Sequence, residues 1–212
     1  MPIFPVEGNV GAGKTTLLNK LKDAMPDVTI VLEPVDEWMN FRVCEKDPSL
    51  FELYYKDKTK YGFVFQMMAL QTRFESLIDM MRQKVVVVCE RSFLTDFKIF
   101  AQLMYDSGYL SDIEMAVYKR WHAFIMDLIK PDIGGMIYLR ADPEVCLERV
   151  RSRGRAGEES VEVEYLAELH VAHEKWLMDS KLEKSTLVIH ANGQIDNEAI
   201  DRIVEFVTRQ SK

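Results

Sequence analysis

The sequence predicts an α/β fold: a five-stranded parallel sheet flanked by helices, with a glycine-rich loop after its first strand. Three observations predict it. Short apolar or β-branched runs alternate with longer helical stretches along the whole chain, as in repeated strand–helix units. The run from Lys84 to Cys89 is apolar after its lysine, as a central parallel strand covered on both faces requires. Gly8-Asn9-Val10-Gly11-Ala12-Gly13-Lys14-Thr15 has the form G-x-x-x-x-G-K-T and stands between an apolar segment and a helical run.

Taken in order, Ile3-Phe4-Pro5-Val6 is the first strand, and Thr15 to about Met25 is the helix that receives the loop. Pro5 removes a ladder donor, so a bulge or a shortened pairing is expected there. Val28-Thr29-Ile30-Val31-Leu32 is the second strand, ended by Glu33-Pro34. A helical or irregular segment reaches about Lys58, and a long helix covers about Lys60 to Arg82. The third strand, from Lys84, precedes helices over about Phe93–Asp106 and Ser111–Ile129. Gly135–Leu139 is the fourth strand, and Asp142-Pro143 reads as an N-cap followed by proline in the first helical position, for a helix ending near Arg153. A helix over about Val163–Ser180 and a fifth strand, Thr186–His190, lead to a C-terminal helix. No repeat or low-complexity linker interrupts the pattern, so residues 1–212 read as a single domain. Ligands of such sheets gather beyond the carboxyl ends of the strands, which places the loop from Gly8, Glu33, Glu90-Arg91 and Arg140 along one rim.

Composition narrows the function classes. A formal net charge of −7 argues against a surface that coats nucleic acid. Cys44, Cys89 and Cys146 are far apart and form no C-x-x-C pair, which suits a reducing compartment and no structural zinc. There is no apolar run of membrane length, and the loop begins at Gly8, leaving no room for a leader segment. A cytosolic protein, bound to neither membrane nor nucleic acid, is expected.

The loop dictates its own chemistry. Glycines let successive backbone N–H groups turn inward around a polyanion, and the next helix points its positive end at the same place. Lys14 is suited to neutralise β- and γ-phosphate charge, and the Thr15 hydroxyl to ligate Mg²⁺. A nucleoside triphosphate, ATP with Mg²⁺, is the expected ligand of Gly8 to Thr15 and the adjoining Thr16.

Other groups divide between chemical and bland readings. Glu33, ending the second strand, fits either a base that accepts a hydroxyl proton or a solvated strand-end acid. Glu90-Arg91 leaves an apolar strand where Glu90 can hold the metal opposite Thr15 and Arg91 can fork onto anionic oxygens. Gln66, Ala69 and Arg73 share one stripe of the long helix. Gln66 can match a base edge, and Arg73 with Asp96 can form a buried pair facing it; a solvated helix face explains the same residues. Arg149, Arg153 and Arg155, with Gly154 as a breaker, suit an arginine lid over the triphosphate, and a basic helix end explains the same residues; Glu158 and Glu159 fit no more than solvated counter-charges of that lid.

Together these residues resemble the deoxynucleoside kinase family over nearly the whole chain, from Glu7 to about Leu177. The motifs are E-G-N-V-G-A-G-K-T-T, E-P-V-D-E-W, F-V-F-Q, E-R-S, and R-S-R-G-R-A-G-E-E followed by E-Y-L-A-E-L-H. The resemblance implies a P-loop kinase with an arginine-rich lid that transfers the γ-phosphate of ATP to the 5′-hydroxyl of a deoxynucleoside. It makes Glu33 the base, Trp38 a pocket-lining aromatic, and Tyr55 with Glu158 the holders of the sugar 3′-hydroxyl. It makes Phe65 and Phe100 the rings on either side of the base and Gln66 the amide that reads it. Glu90 and Arg91 become the metal-linked and 5′-end residues, and Arg149, Arg153 and Arg155 the lid. A homodimer built from helices is implied as well. Ala69, Arg73 and Asp96 resemble the deoxycytidine/deoxyguanosine type, so deoxycytidine and purine deoxynucleosides are the expected acceptors, with thymidine disfavoured. Phe97, where vertebrate members carry a basic residue, and Glu162, in place of a common proline, depart from the pattern.

Two other readings compete. A nucleoside monophosphate kinase of the thymidylate kinase type shares the loop and the Glu-Pro, but Leu32 stands where that type usually has arginine, and Glu33 would repel a 5′-phosphate. A nucleotide-dependent switch would leave the base- and sugar-facing residues without purpose, and the chain lacks an N-K-x-D stretch.

Overall fold

The computed structural model of the chain describes residues 2–83, 85–178 and 185–211. Five strands, β1 (Ile3–Glu7), β2 (Thr29–Val31), β3 (Val87–Glu90), β4 (Met136–Arg140) and β5 (Thr186–His190), form one parallel sheet in the order β2-β3-β1-β4-β5. The helices are α1 (Lys14–Ala24), α2 (Val35–Asn40), α3 (Leu50–Lys56), α4 (Lys58–Gln83), α5 (Phe93–Thr95), α6 (Gln102–Asp106), α7 (Asp112–Ile129), α8 (Pro143–Arg153), α9 (Val163–Leu177) and α10 (Asn197–Gln210). The predicted elements are therefore present in the predicted order. Lys84 and Ser180, named above as a strand start and a helix end, lie outside the described residues.

Alternation across the pleat builds two cores. Phe4, Val6 and Val88 join Leu17, Leu18, Ile137, Leu166 and Ile203 on one face, while Ile3, Val87 and Cys89 join Leu70, Leu77, Tyr118 and Ile125 on the other. A third cluster, with Trp38, Phe51, Tyr54, Phe65 and Met104, is built from the helices beyond β2 and β3.

Pro5 interrupts the pairing on one side, and the register there slips by one residue, as at a bulge. Ile3 N donates to Asp132 O and Gly134 N to Ile3 O, so the nitrogen of Pro5, two residues on, faces the β4 side too. On that side Ile3 is bridged to Ile133 and pairing resumes at Val6↔Ile137, four residue steps against three of β1, whereas the β3 side pairs without interruption from Ile3↔Val87 to Val6↔Glu90. β1 gives up the ladder bond that proline cannot make and keeps its central place.

Other differences have local causes. The segment before α4 resolves into α2 and α3, the latter fixed by a capping box in which Ser49 and Glu52 exchange hydrogen bonds. The helix expected over Phe93–Asp106 contains a π-helical stretch, Asp96–Ala101. Asp142 occupies the N-cap of α8, but its carboxylate accepts from Asn192 Nδ2 at 2.6 Å instead of capping the helix. Among the described residues no helix is long and apolar enough to cross a membrane.

Candidate active site

The loop between β1 and α1 is held by close packing at its glycines. Gly8 (φ 147°) and Gly11 (φ 80°) lie so near other backbone that a Cβ would come within 2.5 Å of Leu139 O and 2.4 Å of Cys146 O, respectively. Gly13 caps α1 from the left-handed region, φ 98°. Asn9 fastens the loop from below, donating to Leu166 O and accepting from Val10 N, both at 2.8 Å. The buried Lys14 ammonium donates to Gly8 O at 3.1 Å and Asn9 O at 2.8 Å. Burial, and then the neighbouring Arg91, lower its pKa from 10.5 to about 8 against the pull of Glu90 and Glu33. Thr15 Oγ1 lies 2.9 and 3.0 Å from the two carboxylate oxygens of Glu90, at the end of β3.

Behind the loop, charge is concentrated where solvent is excluded. Glu33 follows β2; Arg91 Nη1 reaches it at 2.6 Å, and Arg73 Nη2 donates to its other oxygen. Arg73 Nε in turn lies 2.6 Å from Asp96 Oδ2, and Arg73 Nη1 donates to Glu90 O at 3.1 Å. All four side chains are nearly inaccessible. Burial alone would raise the Glu33 pKa, but Arg91, then Arg73 and Lys14, outweigh it and bring it from 4.5 down to about 2. Burial likewise opposes the charge on Arg73, yet Asp96 and Glu33 leave that guanidinium more firmly protonated than usual. The expected Arg73–Asp96 pair is present and shares its arginine with Glu33, a link that sequence spacing did not suggest.

An aromatic wall closes the other side. Phe65 stacks on Tyr54 at 4.4 Å and meets Trp38 edge-on at 5.5 Å, while Trp38 Nε1 donates to Thr72 Oγ1 at 3.0 Å. Phe100 lies under the Arg91 guanidinium, 4.9 Å from it. The π-helical stretch puts Asp96 and Phe100 on the same cavity wall. Gln66 is buried with Oε1 unpartnered among the described residues.

Two cavities meet here. The inner one is lined by Val10, Gly11, Lys14, Thr15, Glu33, Trp38, Tyr55, Phe65, Gln66, Ala69, Arg73, Glu90, Arg91, Asp96, Phe100, Arg153, Arg155 and Glu158, among others. The outer cleft is lined by Gly11, Ala12, Gly13, Lys14, Thr15, Thr16, Glu90, Arg149, Arg153 and Arg155. Gly11, Lys14, Thr15, Glu90, Arg153 and Arg155 belong to both. Gly8 and Asn9 line neither, but their carbonyls hold Lys14 at the junction.

One expectation needs correction, and two arginines carry bonds that their sequence did not suggest. Glu158 is not solvated: it is 4 % exposed, lines the inner cavity and accepts from Arg153 Nη2 at 2.7 Å and Arg155 Nη1 at 3.5 Å. Of the two acids, Glu159 alone is exposed. Arg149 is committed to backbone, donating to Ala12 O at 3.2 Å and to Asn192 O and Gly193 O at 3.1 Å, and thereby joins the phosphate loop to the turn after β5. Arg140, placed on the rim, is paired with Glu174 at 2.9 Å and lines neither cavity.

Sequence reasoning missed Phe51, Tyr54 and Tyr165 as lining residues and Glu7 as a buried acid. The helical spacing of Phe51, Tyr54 and Tyr55 would have placed those rings on one side of α3. The acid ending an otherwise apolar first strand would have marked Glu7.

The comparisons agree with this geometry. The family model described as Deoxynucleoside kinase matches residues 4–210. A protein named probable deoxycytidine kinase from fowlpox virus is 34% identical over 92% of this chain and 80% of its own length. Mouse deoxycytidine kinase is 33% identical over 96% and 90%, and the mitochondrial deoxyguanosine kinase of Xenopus laevis is 32% identical over 85% and 74%. These matches set aside the thymidylate kinase alternative. With a phosphate loop opening onto a buried carboxylate and an aromatic-lined cavity, the chain belongs to the deoxynucleoside kinase family and is an ATP-dependent kinase of that activity.

Proposed function

We propose that the inner cavity holds a deoxynucleoside with its 5′-oxygen beside Glu33, and that the outer cleft holds ATP, with the γ-phosphate at their junction. One observation carries this reading: Arg73 is held between Glu33 and Asp96 on a wall that also includes Gln66 and Ala69. The group that meets the sugar is thus tied to the groups that meet the base. Gln66 Oε1, an unpartnered buried acceptor, suits an exocyclic amine; Asp96, whose pKa burial pushes up but whose charge the Arg73 guanidinium 2.6 Å away holds, disfavours a base edge that offers only a carbonyl. Deoxycytidine and purine deoxynucleosides are therefore the proposed acceptors, with thymidine poor. Tyr55 and Glu158 fit the 3′-hydroxyl, and Phe65 and Phe100 the faces of the base.

In the transfer, the 5′-oxygen bonds to the γ-phosphorus as the bond to the β–γ bridging oxygen breaks and ADP takes the electron pair. The 5′-hydroxyl proton passes to Glu33. Because Glu33 is a weak base, that passage comes late, and its first contribution is to orient the hydroxyl. Lys14, Arg91, Arg153 and Arg155 face the equatorial oxygens at the junction, and Arg149 positions the loop. The lid role of Arg149, Arg153 and Arg155 is part of the same proposal.

Mg²⁺ fits the donor set. Thr15 and Glu90 present three hard oxygens within 3.0 Å of one another at the cleft. Mg²⁺ is commonly held by one or two protein oxygens together with substrate phosphates, and a hydroxyl with one carboxylate would serve. It would supply charge neutralisation of the β- and γ-phosphates.

The proposal extends to one catalytic domain over residues 1–212, supported by the family match across residues 4–210, and to a cytoplasmic protein, supported by buried, free Cys89 and Cys146. It also includes a homodimer. Val117, Trp121, Phe124 and Leu128 are exposed along one face of α7, beside Val64 of α4 and Phe41, and an apolar hollow lies among them. The test of the central reading is a panel of the four deoxynucleosides with ATP and Mg²⁺. Deoxycytidine or a purine deoxynucleoside should be phosphorylated best; thymidine as best acceptor would overturn the specificity.

A further inference from the structure

Glu7 is a buried acid that touches neither cavity. It ends β1, is fully inaccessible, and lines no part of the inner or outer site. Its Oε1 accepts from Ser92 N at 3.1 Å and Ser92 Oγ at 2.7 Å, and its Oε2 accepts from Thr95 Oγ1. Every one of these donors belongs to the turn that immediately follows Arg91.

That turn is strained at a telling place. Arg91 has φ 59°, and only Lys130 is another non-glycine residue with positive φ among the described residues. Such a conformation persists only where its surroundings over-determine it. Here Arg91 N donates to Val6 O at 3.0 Å, Cys89 Sγ donates to Arg91 O at 3.3 Å, and the next residue is gripped by Glu7. The result is a chain reversal that sends the guanidinium back across the loop, to Glu33 at 2.6 Å and Gly8 O at 3.4 Å. An ordinary right-handed or extended Arg91 would leave β3 in another direction.

We propose that Glu7 is a positioning residue for phosphoryl transfer: its hold on Ser92 and Thr95 keeps Arg91 in the left-handed turn that aims the guanidinium at Glu33 and the junction of the two cavities. A buried acid is not in itself a stabilising device, since apolar residues often replace a buried polar network at little cost; here that replacement would also take from Ser92 N both of its acceptors, Glu7 Oε1 and Thr95 Oγ1. This network surrounds one backbone conformation, that of a residue whose side chain reaches the reacting groups. The inference rests on the role given to Arg91 above.

The test compares Glu7→Gln with the apolar replacement Glu7→Leu/Ser92→Ala/Thr95→Val, and runs Arg91→Ala beside them. Steady-state kcat and KM for ATP and deoxycytidine are measured together with Tm. If Glu7 positions Arg91, kcat falls about 10- to 100-fold, the scale of a small misplacement of catalytic groups, while KM for ATP stays within about twofold. The apolar variant should show the same kcat loss when assayed well below its Tm, which falls only by the cost of the Ser92 N–H left without an acceptor; a merely structural role does not lower turnover in the folded protein. A folded variant of either kind that keeps kcat overturns the inference, as does a loss carried wholly by KM for ATP. Should Glu7→Gln fail to fold, the apolar variant decides, and Thr95→Val alone, which removes one donor, must show a smaller kcat loss in the same sense. If Arg91→Ala itself keeps turnover, the role given to Arg91 is wrong. If Arg91→Ala is inactive while the Glu7 variants are active, only the role of Glu7 is wrong.

Discussion

Arg91 and Glu33 meet through both carboxylate oxygens, with Arg91 Nη1 2.6 Å from Oε2 and 2.9 Å from Oε1. The contact joins the residue after β3 to the residue beyond β2, across the mouth of the phosphate loop. It also sets the chemistry of the pair. A carboxylate gripped by Arg91 and Arg73 is ionised at every working pH and binds a proton poorly. Glu33 is therefore ready to accept a hydrogen bond from a hydroxyl before transfer, and takes the proton itself only as the new P–O bond acidifies that hydroxyl.

Glu33→Gln should lose turnover by about 10² or more, the usual scale of a positioned base. The amide keeps the shape of the side chain and can still accept one hydrogen bond, so deoxynucleoside affinity should change little. Single-turnover kinetics and equilibrium binding separate the two. Turnover retained in Glu33→Gln would remove Glu33 from the chemistry.

Lys14 supplies a pH dependence of definite sign. Its folded pKa is lowered from 10.5 to about 8, first by burial and then by Arg91, so its charge is present below about pH 8 and lost above. Free enzyme meets ATP with that charge, and kcat/KM for ATP reports free-enzyme ionisations. That ratio should fall as pH rises through about 8, approaching tenfold per pH unit. At saturating ATP, bound phosphate holds the proton on Lys14, so kcat should bend at higher pH. A ratio that stays level well past pH 8 would mean that Lys14 titrates near its ordinary value.

Much of this was legible in the sequence, for identifiable reasons. Strand–helix alternation is a local signal, and the G-x-x-x-x-G-K-T spacing fixes backbone chemistry that few side chains permit, so both carried over to the structure. The stripe of Gln66, Ala69 and Arg73 was legible because helical spacing is rigid. What spacing could not give is where the ends of different strands converge. Glu158 read as a solvated acid because its local sequence is charged, yet a left-handed Gly157 turns it inward beneath Arg153 and Arg155. Arg140 stands at the carboxyl end of β4, on the rim as read, but Glu174 on α9 pairs with it and it lines neither cavity. The Glu7 network depends on β1 and the turn after β3 being neighbours, which no local pattern states.

Gly8→Ala tests the close packing of the loop. At φ 147° the added Cβ would press on Leu139 O at 2.5 Å, and neither backbone segment can yield without moving the loop or β4. Strain of about 1–3 kcal/mol is expected, and the loop carbonyls that hold Lys14 should shift. ATP affinity should fall by about tenfold or more for each 1.4 kcal/mol that the loop must recover on binding, with a lower Tm. Isothermal titration with ATP and a thermal melt check both. Unchanged ATP affinity would show that the loop tolerates a side chain here.

Asp96→Ala tests base selection. The substitution leaves Arg73 paired with Glu33 alone and removes the anion that disfavours a carbonyl-only base edge. The ratio of kcat/KM for deoxycytidine to that for thymidine should drop by about 10- to 100-fold, the range open to a single polar contact. Breaking a buried ion pair on one side also costs about 3–5 kcal/mol, so Tm should fall as well. A lower Tm with the same selectivity ratio would mean that Asp96 serves the fold and does not choose the base.

Trp121→Glu tests the dimer. Val117, Trp121, Phe124 and Leu128 follow helical spacing on the outer face of α7, and Phe41 and Val64 extend the patch. A monomer rarely exposes so much contiguous apolar surface, and a self-complementary contact about a two-fold axis is the usual way to cover it. A glutamate in the middle would be buried without a partner in each of two copies at once. Sedimentation should therefore show a dimer for the parent and a monomer for Trp121→Glu at micromolar concentration. The cavities face away from this surface in composition, sharing no lining residue with the apolar hollow, so kcat per chain should change less than about threefold if each subunit works alone. A parent that sediments as a monomer would refute the dimer, whatever the variant does.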